Sequence, residues 1–236
     1  VPTSYGDACA LILGAPAPVL YLDTCIFLDI VRAPVRENIS SESASLAQEL
    51  RTRSCTNPRS IWLVTSETVQ TEWHDNIDEV KTDVERNIRK LESKRRHFLS
   101  AAQAVTGSIY PHGQIESALN LLVQLEAASE ALLDACVIVT PDDAHLVGAM
   151  NRVKSNRPPA KRGKAEPKDC EIYELFFSLC RDLRAGGMTE DFVFASSNIN
   201  EFGTDNSGGV QLELSNLNAK YSSDIPWAVA AIDGRT

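Results

Sequence analysis

Apolar residues along the chain fall into two alternating patterns. Short unbroken runs, Val19-Leu20-Tyr21-Leu22, Ile61-Trp62-Leu63-Val64-Thr65 and Phe192-Val193-Phe194-Ala195-Ser196, read as strands buried on both faces. Between them lie longer segments in which apolar positions recur every three or four residues, as in amphipathic helices. One covers Cys25 to Arg32 and is stopped by Pro34; another covers residues 40–53, with Leu46 and Leu50 one turn apart. The longest starts at Ser66, with Ser66 or Thr68 as its cap, and runs to about Val105 without Pro or Gly. Val69, Trp73, Ile77, Val80, Val84, Ile88 and Leu91 form its stripe, and Gly107 and Pro111 mark its end. A helix over residues 114–135 follows, with Ile115, Leu119, Leu122, Leu125 and Leu132 among its apolar positions. Next come a short helix from Pro141 through Met150, capped by Thr140, and one from Asp169 to Leu183, ended by Gly186-Gly187. A weak helix at 213–221 and a short strand at 226–231 close the pattern. Strands separated by helices predict an α/β fold, a mainly parallel sheet with helices on both faces.

Composition narrows the class. Hydrophobic residues make up 43% and charged residues 23%, which fits neither a fibrous nor a wholly disordered chain. The longest mostly apolar stretch, Ala8 to Leu22, is broken by Gly14, Pro16 and Pro18. It is too short to span a bilayer, and with no basic segment before it, it reads poorly as a secretory signal, so no membrane partner is expected. Six scattered cysteines with no CxxC pair read as reduced thiols and point to a cytoplasmic protein. The net charge of -9 argues against bulk attraction to polyanions, but charge is local. Asn151 to Lys168, read as a loop, carries Arg152, Lys154, Arg157, Lys161, Arg162, Lys164 and Lys168 against Glu166 alone. Such a loop suits phosphate contacts to RNA.

Functional residues in open α/β sheets collect beyond the C-terminal ends of the strands. Asp23 follows the first strong strand, Glu72 lies about a turn into the helix after the second, and Asn198 follows the third, with Glu201 close behind. Asp169 opens a helix directly after the basic loop. Each has a plain alternative: Asp23 and Asp169 as helix caps, Glu72 on a solvated face, Asn198 in a turn. The combination carries the inference. Converging carboxylates repel, and a hard divalent ion relieves the repulsion. The chemistry this predicts is metal-assisted phosphodiester hydrolysis. Asp142 and Asp143 also open a helix and rival Asp169; the more apolar helix behind Asp169 favours the latter, and Asp142 reads rather as the cap of its own helix. Glu174 lies off the Asp169 face of that helix. His74, His97, His112 and His145 show no mutual spacing that suggests a site.

These segments resemble those of PIN-domain ribonucleases. "VLYLDTCIFLDIVR" (Val19 to Arg32) is similar to the family's first strand, acid and helix. "VTSETVQTEW" (Val64 to Trp73), "KDCEIYELF" (Lys168 to Phe176) and "DFVFASSNINEFG" (Asp191 to Gly203) resemble the segments bearing the remaining site groups. The resemblance implies a three-layer α/β/α sandwich and an acidic pocket binding Mg²⁺ or Mn²⁺. It implies endonucleolytic cleavage of RNA, with Asp23, Glu72 and Asp169 as metal ligands and Asn198 completing the catalytic set. Thr24 and Ser197 stand as supporting residues, Glu201 and Asp142 as supporting or alternative acids, and Arg157, Lys161, Arg162, Lys164 and Lys168 as RNA contacts. Many relatives are toxins of toxin–antitoxin pairs, often dimeric, which would make an antitoxin protein and a second copy partners as well. Two departures stand out. The chain, read as one domain over residues 1–236, exceeds the compact toxin form, with residues 74–135 as a helical insertion. Asn198 stands where many relatives have Asp, which also leaves open a catalytically inactive scaffold that binds RNA or a protein. A haloacid-dehalogenase-type phosphatase would need a second Asp where Cys25 stands.

Overall fold

The computed structural model describes residues 1–109, 120–203 and 209–235. In chain order the elements are β1 (Thr3–Ser4), α1 (Tyr5–Gly14), β2 (Val19–Leu22), α2 (Thr24–Arg32), a 3₁₀ turn (Ala33–Val35), α3 (Ser43–Ser54), β3 (Trp62–Ser66), α4 (Glu67–Thr106), α5 (Leu121–Asp134) and β4 (Val137–Thr140). There follow α6 (Asp143–Ser155), α7 (Pro167–Ala185), β5 (Phe192–Ala195), α8 (Ile199–Phe202), α9 (Gln211–Ser215), β6 (Ala219–Ser222) and α10 (Ile225–Ile232). The six strands form one sheet in the order β1-β4-β3-β2-β5-β6, every pair parallel. The chain runs from β2 to β3 on one side and later resumes at β5 on the other. The strand order therefore reverses at β2, the switch point beyond whose C-terminal strand ends such sheets place their ligand crevice.

Both faces of the central strands are covered, which is why they read as unbroken apolar runs: Val19 to Leu22 and Phe192 to Ala195 are fully buried. On one face, register aligns Tyr21, Phe194 and Tyr221 across β2, β5 and β6. Phe194 stacks 5.7 Å from Tyr21 and lies 6.3 Å from Tyr221, ring centre to ring centre. Tyr173 and Phe176 of α7 and Phe202 of α8 pack onto Phe194. Each fully buried aromatic contributes about 1.5–3 kcal/mol by removing apolar surface from water. In the other helical layer α2 lies against α4 and α5, and α3 against α5 and α10. There Ser129 of α5 takes a hydrogen bond from the Trp73 indole at 2.9 Å and donates to the Phe27 carbonyl at 2.7 Å, tying α4, α5 and α2 together.

Several expectations are corrected. The strand β4 and the pair β1–α1 are absent from the sequence reading. Thr140 ends β4 instead of capping α6; the cap is Asp142, whose Oδ1 accepts from the Ala144 and His145 amides while His145 Nδ1 accepts from the Asp142 amide. Helix α6 continues to Ser155, so the loop before α7 is shorter than Asn151–Lys168. Residues 226–231, expected as a strand, lie in α10: Asp224 caps it by accepting from the Trp227 amide at 2.7 Å, and Pro226 sits in its first turn. The last strand is Ala219–Ser222, overlapping the end of the stretch expected to be a helix. Ser66 caps α4 as expected, accepting from the Val69 amide, and Gly107 ends it at φ 70°. Pro111, His112, Ile115 and Leu119 lie outside the described residues.

Candidate active site

Asp23 follows β2 and caps α2, as the plain alternative would have it, but its carboxylate does more. Oδ1 accepts from the Thr24 amide at 2.7 Å; Oδ2 accepts from the Ser196 hydroxyl at 2.6 Å and from the Cys25 thiol at 3.1 Å. The side chain is buried, and burial pushes its carboxyl up from the ordinary value; the hydrogen bonds oppose this and the Glu72 charge adds to it. Burial and the Asp23 charge also push the Cys25 thiol well up, so it remains a protonated donor. Cys25 Sγ in turn accepts from the Ser197 amide at 3.0 Å, joining the start of α2 to the loop after β5.

Glu72 reaches the same place from α4. Its Oε2 accepts from the Thr24 hydroxyl at 2.7 Å, and its Oε1 lies 3.3 Å from Lys168 Nζ. Asp169, in the first turn of α7, accepts from Asn198 Nδ2 at 3.3 Å. The backbone N–H of Asn198 donates to Ser196 Oγ at 3.2 Å, which closes the path back to Asp23. Burial, then the charges of Asp23, Glu166, Glu72 and Glu201, push the Asp169 carboxyl up to about 7. Asp23, Glu72, Asp169, Asn198 and Thr24 therefore meet in one bonded cluster at the ends of β2, β3 and β5.

Other expected positions fall differently. Ser197 contributes its backbone; the hydroxyl that holds Asp23 belongs to Ser196, which sequence reasoning missed because a serine ending a strand carries no distinguishing pattern. Asp142 is spent on the cap of α6. Glu201 is buried and paired with Lys164 and Lys161. The basic residues are turned onto acids of the chain itself: Arg157 lies 2.9 Å from Glu213 and Lys168 pairs with Glu72, while no ion pair among the described residues involves Arg162. Arg152, read as part of a loop, is buried in α6, where it pairs with Glu174 and with Glu213 at 2.6 Å and lies over the Tyr173 ring.

Among the described residues no three His, Cys, Asp or Glu side chains form a ready-made metal cage. Asp23, Glu72, Asp169 and Asn198 offer oxygen donors, which suit Mg²⁺ or Mn²⁺, while the Cys25 thiol beside them stays protonated. Burial first, and the charges of Asp23, Glu166, Glu72 and Glu201 after it, raise the Asp169 carboxyl, and a cation there would favour its ionised form. The residues present thus fit a hard divalent ion.

A parallel sandwich with an acidic crevice at its topological switch defines the class to which this architecture belongs. A family model described as PIN domain matches residues 20–202, from β2 to α8, across Asp23, Glu72, Asp169 and Asn198. The chain belongs to the PIN domain family, a nuclease fold family. No curated protein and no solved structure matches it at a significant level. No helix among the described residues is long and apolar enough to cross a membrane.

Proposed function

We propose that the chain is a Mg²⁺- or Mn²⁺-dependent endoribonuclease that hydrolyses phosphodiester bonds at the acidic crevice. The observation that supports this most is the bonded cluster that brings Asp23, Glu72, Asp169 and Asn198 together from four separate segments. Asp23, Glu72 and Asp169 would hold the metal, with the Asn198 amide oxygen as a neutral donor. Bound there, a divalent ion polarises a phosphoryl oxygen and lowers the pKa of a bound water. The chain's own groups do the positioning. The Thr24 amide, Ser196 hydroxyl and Cys25 thiol fix the Asp23 rotamer, and the Thr24 hydroxyl fixes Glu72. Burial and the neighbouring acids push the Asp169 carboxyl up to about 7, and a bound cation would hold it ionised as a ligand. Its partner Asn198 keeps it in place.

The test is Asp23→Asn in a Mn²⁺-supported cleavage assay on single-stranded RNA, with circular dichroism to show that the fold persists. Cleavage is expected to vanish; cleavage at the wild-type rate rejects the site. If the protein is a toxin, expression alone halts growth of the host and the same substitution relieves it. A second reading, an inactive scaffold, is favoured by one observation: Lys168 already neutralises Glu72, and Lys161 and Lys164 neutralise Glu201. It predicts no heat on calorimetric titration with Mn²⁺.

A further inference from the structure

Beside the crevice, residues 160–165 form a tight hairpin. The Lys161 amide donates to the Lys164 carbonyl at 3.0 Å and the Lys164 amide to the Lys161 carbonyl at 2.9 Å, leaving Arg162-Gly163 as the tip. Gly163 takes φ 85°, a left-handed conformation that such a turn requires and side-chain-bearing residues resist. Both lysines fold back onto one acid. Lys164 Nζ bonds Glu201 Oε1 and lies 2.8 Å from Glu166; Lys161 Nζ lies 3.4 Å from Glu201 Oε2 and donates to the Asn200 carbonyl at 2.9 Å. The Glu201 side chain is only 1% exposed, yet its Oε2 receives no hydrogen bond. A carboxylate this deep is strongly destabilising without counter-charges, and the hairpin lysines supply them.

The placement of the partners gives the contact a purpose. Glu201 sits on the same single-turn helix that Asn198 starts, and the hairpin leads within five residues to Asp169. The ion pairs thus fasten the same two segments that the Asn198–Asp169 hydrogen bond joins. Meanwhile Arg162 stands exposed at the tip, with no ion-pair partner among the described residues. A guanidinium so presented matches a phosphate in a bidentate manner.

We infer that Glu201 lies outside the metal-binding set and is the anchor of this hairpin, which it holds beside the crevice as a clamp for the phosphate backbone of the substrate, with Arg162 as the contacting group. The clamp role rests on the nuclease reading; the anchor role does not. Limited trypsin digestion tests the anchor, because the hairpin carries Lys161, Arg162 and Lys164. Glu201→Gln raises the rate of cutting at those bonds by about tenfold or more, while cutting elsewhere is unchanged. Should that variant fail to fold, Lys161→Met with Lys164→Met, read by cutting after Arg162, serves in its place. No acceleration at the hairpin overturns the anchor. Calorimetry with Mn²⁺ tests the exclusion from the metal set: Glu201→Gln keeps its affinity within about twofold, and a loss beyond about tenfold overturns the assignment. For the clamp, a single-stranded RNA oligonucleotide is bound in Ca²⁺. Arg162→Ala weakens binding several-fold and makes the salt dependence shallower by about one phosphate contact. Wild-type affinity in that variant overturns the clamp alone. Absence of RNA binding by the wild type overturns it together with the nuclease reading, and the digestion result then still decides the anchor.

Discussion

The two ends of the basic stretch, so alike in composition, behave in opposite ways. At one end Arg152 is 1% exposed, bonded to Glu174 and Glu213 and covered by the Tyr173 ring. At the other, Lys161, Lys164 and Lys168 are more than half exposed and reach in to Glu201 and Glu72 from the surface. In the first region charges are matched within the fold, and the acids are content: burial works against Glu213, but its hydrogen bonds and charge contacts with Arg152 and Arg157 hold its carboxyl below the ordinary value. In the second, acids outnumber the cations that reach them, and burial together with those acids pushes Asp169 up. A run of Lys and Arg is therefore not one feature. Where it packs, it is a structural staple; where its partners are in excess, it borders a site.

The largest effect should come from breaking the matched region. Arg152→Met leaves Glu174 and Glu213 without their buried counter-charge, and loss of one partner of a buried pair costs about 3–5 kcal/mol. Denaturant unfolding should show a loss of that size. Arg157→Ala removes only the exposed end of the same network, 55% accessible, and should cost less than about 1 kcal/mol. Equal losses in the two variants would erase the distinction drawn here.

The pH dependence separates the regions by sign. Asp169 binds its proton more tightly folded than unfolded, so its contribution to stability is fully present below about pH 4 and is lost as pH rises toward about 7. Glu213 runs the other way: its contribution is present above the ordinary glutamate value and is lost as pH falls through its lowered folded value. Thermal unfolding in chelator from pH 4 to 8 should accordingly show Asp169→Asn flattening a decline toward neutral pH, whereas Glu213→Gln leaves that limb unaltered. Millimolar Mn²⁺ should raise the wild-type midpoint more at pH 8 than at pH 5, since the acids it meets are then unprotonated.

Much of this was legible in the sequence, and the reasons for the rest are physical. β2, β3 and β5 announced themselves because both faces are buried. β4 did not, because three of its four residues are only partly buried and only two residues separate it from α5. α10 read as a strand because every residue from Ile225 to Ile232 is apolar, so no polar position marks a period; the helical spacing shows only in the burial of Ile225, Ala228, Val229 and Ile232. Asp23 and Asp169 stood out at the junctions where one pattern gives way to another. Ser196 and Cys25 did not, since a hydroxyl and a thiol at a strand end occur for many reasons. Glu201 was visible as an acid, but its lysine partners lie about forty residues earlier and only the folded chain brings them near.

The smallest effect tests how tightly the crevice is built around Asp23. The Cys25 thiol is one of its donors, and a weak one; a serine in its place supplies a stronger hydroxyl donor of similar reach. Cys25→Ser should therefore shift stability by less than about 1 kcal/mol and retain Mn²⁺ affinity. Cys25→Ala leaves Asp23 with the Ser196 and Thr24 donors alone and frees the Ser197 amide, so Mn²⁺ affinity should fall measurably below that of the serine variant. Calorimetry on the pair checks this. If alanine and serine are indistinguishable, the thiol merely fills space, and the rigidity of Asp23 comes from Ser196 and the start of α2 without it.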